Sequence, residues 1–426
     1  MDTNNNTCSA MARHIIVLLV FLLTGCGEDP NRVATDRSLN GTLNMPIFSV
    51  APGATVKVPD DLTINADSDI FIEGNIRAAN DHANRNGASI TLRSHGGDIH
   101  ILGEIESGDG ADGEDQTGQA TVAGSPGLNG GNITLVATRG AILVSGSVVA
   151  GAGGDGGSAT ASGANQLVYA ESGAGGAGGE VSVVAAKRIE VSNITTGAAS
   201  IEAGSGGDSG SADAEVQRGD TIDPVNEEST PDNGANNAGT EEGEPSESEL
   251  PETAPAVIAT TAQARALRGG DGGKITLQVT HADGEILLQG DIEAGDGGNT
   301  GSAMASGAET AKAESATAAK GANVDVVITD LTKLLSFTFP EAGDGGNNGV
   351  AAGPVQAFAI GTVSALAEVK GGGAPGHVTE QGTNISAGTG GSTGHARADT
   401  PGISNLTPGH THFDVTPAPA IQARAP

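Results

Sequence analysis

The chain has no Trp, one Tyr and seven Phe in 426 residues. A core of large aromatic rings is therefore excluded, and sugar binding by stacking is disfavoured, with Tyr169 the only Tyr. Cysteine is almost absent: Cys8 and Cys26 cannot make a disulfide scaffold. Basic residues are few, 20 Lys and Arg against 52 Asp and Glu, for a net charge of −32. An acidic surface repels phosphate, so nucleic acid and anionic lipid headgroups are poor partners. Apolar residues make up only 37%, and much of that is Ala. Such a chain is either disordered or built as a thin, repetitive structure whose interior accepts small residues. The 68 Gly recur at fixed places, and Val and Ile alternate with polar residues at strand period. Both point to the second.

The first 25 residues read as a leader. From Met11 a short basic stretch (Arg13, His14) precedes the apolar run 15–23, which is too short to span a bilayer. Residues 1–10 are polar and carry Asp2, so Met11 is the expected start, which would leave Cys26 as the only cysteine. Leu23-Thr24-Gly25-Cys26 resembles the bacterial lipobox. The resemblance implies cleavage before Cys26 and lipid on its thiol, so the expected partner is a membrane. Gly27, not Asp, follows the cysteine, which by the enteric sorting rule implies the outer membrane. Residues 26–44 are polar and are expected to form a tether.

A small residue, Gly, any residue, Gly, Gly recurs at 150–154, 203–207, 294–298, 342–346 and 387–391. The spacing is roughly 45 residues, stretched once by an insertion, which signals a stacked array. Within a unit, Gly-Gly leads into a strand such as Ile133-Thr134-Leu135, Val181-Ser182-Val183 or Ile275-Thr276-Leu277. A second strand follows (142–144, 286–288), then a third with one inward residue, Val148 or Ile292. The rest of each unit is Ala, Ser and Gly, as at 157–163 and 301–307; strand with Ala inward and flexible loop both fit it. The glycines are assigned to sharp corners, where φ > 0 or close backbone approach is needed.

Short strands joined by Gly, with no 3.6-residue period, resemble the right-handed parallel β-helix of filamentous-haemagglutinin-like adhesins and the wider pectate-lyase-like superfamily. The resemblance covers roughly residues 55–302 and implies an all-β solenoid in which a 45-residue unit makes two coils. The expected organisation is a leader (1–25), tether (26–44), solenoid (45–214), acidic disordered insertion (215–256), solenoid (257–399) and Pro-rich tail or cap (400–426). The insertion carries Glu227, Glu228, Glu241, Glu242 and Glu244 with several Pro, and cannot offset its ordering entropy. It also holds Arg218-Gly219-Asp220, which resembles an integrin-ligand tripeptide, although chance in a polar loop explains it better.

No catalytic, cofactor or metal site is assigned. Asp109, Asp112, Asp115, Asp155, Asp271, Asp296 and Asp344 lie beside Gly and leave calcium open, but the tandem calcium-binding nonapeptide is not reproduced. His395, His410 and His412 would need to meet in space to hold zinc. Asp60-Asp61 reads as a turn, and Arg93, Arg139, Lys187, Arg188 and Lys274 read as scattered. The expectation is a non-enzymatic, envelope-anchored β-solenoid with a structural, adhesive or binding role, with cell-surface polysaccharide or protein as further partners. The alternative is a polysaccharide lyase, hydrolase or sugar binder on the same fold.

Overall fold

A computed structural model describes residues 31–79, 85–164, 166–192, 199–217, 259–327, 334–336, 341–345, 356–369, 378–379, 395–399 and 412–413. Among them there is no helix. The strands form four stacked parallel sheets, an all-β architecture compatible with a parallel solenoid. Cys26, the leader, residues 218–258 and most of the tail lie outside the described residues.

Three sheets wrap a trunk. A coil runs from a first face (Gly41–Met45, then Leu62–Ala66) to a second (Phe48–Val50, then Ile70–Ile72) and a third (Thr55–Val58, then Asn75–Ala78). Alternation along each strand puts one apolar set inside, and identical registers stack it: Ile64, Leu92, Leu135, Val183 and Leu277 lie one above another with no exposed surface. The trunk core is thus a column of branched aliphatic chains, which is why the absence of Trp costs the fold nothing. Strands begin at Arg32–Val33, so much of the expected tether belongs to the first coil. Leu334–Ser336, in a stretch that departs from the repeat in sequence, pairs in register with Ile286–Leu288 and extends the second face.

The coils grow. In-register partners are 21 residues apart at Gly41 and Leu62, 28 at Leu62 and Ile90, 43 at Ile90 and Ile133, and 48 at Ile133 and Val181. The long unit is therefore one coil and not the expected two. Its extra length is an arm that leaves after the third face and returns to the first. In the Ile133–Val181 coil the arm runs out through Gly151, Gly154 and Gly157 and forms strands Ala159–Gly163 and Leu167–Glu171. It returns through Gly173, Gly176 and Gly179.

The arm's straight segments are not strands. Their hydrogen bonds repeat every third residue, the period of the polyproline II conformation. Gly173, Gly176 and Gly179 donate to the carbonyls of Gly157, Gly154 and Gly151, and Gly204, Gly207 and Gly210 of the next coil donate to Gly179, Gly176 and Gly173. Outgoing and returning segments zip together through all the described layers. Here the corner assignment of the glycines is corrected. Positive φ occurs at Gly41, Gly53 and Gly307, not at the repeated glycines. What those require is close approach: a Cβ on Gly154 would lie 2.1 Å from the Ala111 carbonyl, and one on Gly207 2.0 Å from that of Gly154.

At the arm's far end the Ala-rich segments are strands. Ala159 and Ala161 face inward with Val168 and Ala170, and Ala212, Ala214, Ala262, Ala264, Ala303, Ala305, Ala311 and Ala313 continue this second core. It is thin because the space between strands of the same arc takes only small side chains, mostly Ala with Val122, Val168 and Val216. The insertion lies between Ala212–Val216 and Thr261–Ala266, while in the layer before it only three residues separate Ala159–Gly163 from Leu167–Glu171 and the layer after it bends at Gly307 within the single strand Ala303–Ser315. Register is kept on both sides of the insertion: Ala212 pairs Ala303, and Thr261 pairs Thr310.

The first arm layer differs in one respect. Positions that are Gly in the three later layers (154 and 157, 207 and 210, 298 and 301) are Ala111 and Glu114 there. Among the described residues no arm strand precedes Gln116–Gly118; Ala111 is only part-buried and Glu114 is exposed, so their side chains have room. The contrast is testable by urea unfolding. Gly207→Ala, against a backbone oxygen, should cost about 3 kcal/mol or more. Ala111→Gly should cost only the entropic ~0.5–1 kcal/mol. Equal effects would refute the close-approach account.

Candidate functional site

The arm segments determine what the acidic residues do. In a three-residue period two N–H groups bond to neighbouring backbone, and the third, at the non-Gly position, faces solvent. Asp side chains of the preceding coil take it. Asp109 accepts from the N–H of Ala152 at 2.7 Å, Asp112 from Asp155 at 2.9 Å, Asp115 from Ser158 at 2.6 Å and Asp155 from Asp208 at 2.7 Å. Asp271 accepts from Lys320 and Asp296 from Asp344. Asn129 and Asn132 serve Ala177 and Glu180 on the returning side. Six of the seven Asp left open for calcium thus accept a backbone N–H, and the seventh, Asp344, donates its own N–H to Asp296. They lie on straight segments, not turns. Among the described residues no group of three or more His, Cys, Asp or Glu is placed to hold a metal ion.

Stacking carboxylates has a cost. Burial pushes the Asp155 carboxyl above the usual range; the bond from Asp208 N–H opposes this, and the charges of Asp208 and Asp112 add to it. Burial likewise raises Glu293, helped by Asp296, Glu202, Glu341 and Asp291, and raises Asp213, helped by Glu215.

Of the expected turn, Asp61 accepts from Ser89 N–H at 2.8 Å and Asp60 pairs with Arg85 at 2.8 Å. The Tyr169 hydroxyl donates to Glu171, which also holds Arg265 at 3.2 Å. His395 and His412 pair with opposite ends of one strand, beside Gln356 and Glu368, so the zinc grouping is not assembled by them. His410 and the Arg218-Gly219-Asp220 tripeptide lie outside the described residues.

One constellation was missed in the sequence. Arg139, Lys187 and Arg188 are brought together at the corner between the first and second faces, because successive coils place their turns one above another. With Asp98, His281, Asp283 and Glu285 they line a depression of about 700 Å³. Arg188 is held by Glu190 at 2.9 Å and lies 3.6 Å from Glu285, and Asp98 is engaged by the Ala141 N–H at 2.7 Å. Arg139 and Lys187 form no ion pair among the described residues. The signal that could have found the cluster is register: Ala141 pairs Arg188, which pairs Glu285. Arg93 and Lys274 do not join it, and Lys274 pairs instead with Asp325.

The chain matches no protein-family model, no characterised protein and no solved structure.

A pH prediction follows from the raised carboxyls. Their ionised forms are penalised in the folded state, so the stability they contribute is present when protonated and lost as pH rises through their elevated pKa, above the ordinary carboxylate value of about 4. Asp213 is the sharpest case, since its Oδ1 is buried without a hydrogen-bond partner. Asp213→Asn should raise the thermal midpoint at pH 7, with a gain that shrinks towards pH 4. A gain that is constant with pH would refute the charge account.

Proposed function

We propose that the chain is a lipid-anchored scaffold of the bacterial cell envelope, exported, cleaved before Cys26 and placed at the outer membrane, with a non-catalytic structural or adhesive role. The observation that carries this is the employment of the arm carboxylates. Acid–base or metal chemistry needs such groups to converge on a shared proton or ligand. Here they hold neighbouring coils together. The fold spends its acidic residues on building a long, regular surface and a distal Ala-cored tip, which suits spacing and display.

A second reading, a polysaccharide-active enzyme or sugar binder, is favoured only by the corner depression with Arg139, Lys187 and Arg188. Loss of polysaccharide binding or turnover in Arg139→Ala together with Lys187→Ala, with the fold intact, would favour it.

The anchor is tested by fractionation. Cys26→Ser should abolish retention of the chain in membranes washed with high salt, leaving soluble protein or uncleaved precursor. Retention of that variant would sink the anchored reading.

A further inference from the structure

Charge is not spread evenly along the stack. Residues 31–58 carry Arg32, Arg37 and Lys57 against a single acid, Asp36. With Glu28 and Asp29 before them the segment is neutral, whereas residues 59–426 hold sixteen Lys and Arg and 48 Asp and Glu. This N-terminal end, with Arg32 and Arg37 in the first layer and Lys57 in the next, therefore escapes the acidity of the chain.

Its cations are also available. Arg32, Arg37 and Lys57 are exposed and form no ion pair among the described residues. The one acid, Asp36, accepts from the Thr55 N–H at 3.0 Å. Lys57 and Arg77 are cross-strand neighbours on the third face, beside a depression of about 400 Å³ lined by Thr55, Lys57, Asn75, Arg77, Ala78 and Ala79. Arg77 is tied back to Glu104 and Glu106. In the same coil Ile47 is 39% exposed.

Position matters most. Arg32 is six residues beyond Cys26. Six residues span at most about 20 Å, so lipid on Cys26 holds the first coil within that distance of the bilayer. The acidic coils that follow are repelled by an anionic surface, while this end is not.

We propose that the first two layers of the stack form a foot that rests on anionic phospholipid headgroups, with Arg32, Arg37 and Lys57 as its contacts, so that the stack stands with its acidic arms away from the membrane. The proposal rests on the anchored reading and names the surface that the anchor brings within reach.

The test removes the lipid so that the foot is measured alone. The mature chain with Cys26→Ser is sedimented at low salt with vesicles of phosphatidylcholine, or of phosphatidylcholine mixed with phosphatidylglycerol. It should bind the mixed vesicles, be released by salt and ignore the neutral ones. Arg32→Glu/Arg37→Glu/Lys57→Glu should weaken binding on the order of 100-fold. The control Arg93→Glu/Arg139→Glu/Lys187→Glu makes the same charge change elsewhere and should bind like the parent. Equal binding to both vesicle types, no binding to the anionic ones, or equal loss in both variants would overturn the foot. Should the first triple fail to fold by circular dichroism, Lys57→Gln alone must lower binding and flatten its salt dependence. The anchor itself is judged by the fractionation of Cys26→Ser in cells, so failure of one reading is distinguishable from failure of the other.

Discussion

Everything distal to the trunk depends on backbone segments approaching one another too closely for a Cβ. The zipped glycines at 151, 154 and 157, at 173, 176 and 179 and at 204, 207 and 210 donate to carbonyls of adjacent segments at 2.7–3.3 Å. Any side chain there would meet a backbone oxygen near 2 Å. Glycine is entropically expensive to order. The offset comes from satisfying backbone groups at every step, since an unpaired N–H inside such a bundle would cost as much as a lost hydrogen bond. The third N–H of each period has no backbone partner within reach, and this selects Asp, Asn or Ser at the non-Gly position of the coil before. The acidity of the chain is in part a consequence of that geometry.

The same constraint divides the molecule into two interiors. In the trunk, faces are separated by full side chains, and Ile, Val and Leu fill the space with essentially no exposure. In the arm's tip, paired strands of one arc leave room for Ala and a few Val. Apolar burial per residue is far greater in the trunk, so the trunk holds the stack and fixes the register that the arms inherit. A charge at Ile133 would therefore disrupt every arm above it, whereas a change at an exposed arm position is local.

Much of the trunk was legible. Alternation of Val and Ile at 133–135, 181–183 and 275–277 specified strands, and these are the strands that stack as one face. The arm was not legible as an arm. Gly at every third position is ambiguous: it signals turns by composition and polyproline II bundles by period, and only the Cβ distances decide. The Ala-rich half stayed open because Ala has no strong strand preference, and burial between arcs decided it. Asp beside Gly suggested calcium because carboxylates at turns are common ligands; their partner N–H groups lie 43 or more residues ahead, beyond any local pattern. The cationic corner failed for the same reason, as Arg139 and Lys187 meet only once the coil length is known.

The stack's two ends and its edge also obey one logic. A layer of zipped glycines invites another layer, since its carbonyls face outward along the stack. The first arm layer ends this by carrying Ala111 and Glu114 where later layers are bare. The coils from Gly41 to Ile90 are only 21 and 28 residues long and carry no arm strand among the described residues, so the arm strands are set back from the N-terminal end. Long additions are placed where neither zipper nor core is interrupted. The insertion departs between the two strands of the arc, which in the preceding layer are separated by only three residues, and the strands on both sides keep their partners. Closing a longer loop there costs little, about 0.6 kcal/mol per doubling of length. The same loop placed at a trunk corner would have to cross stacked turns such as those at Gly97 and Gly140, where an added Cβ already meets Asp69 Oδ1 at 2.0 Å and the Gly97 carbonyl at 2.0 Å.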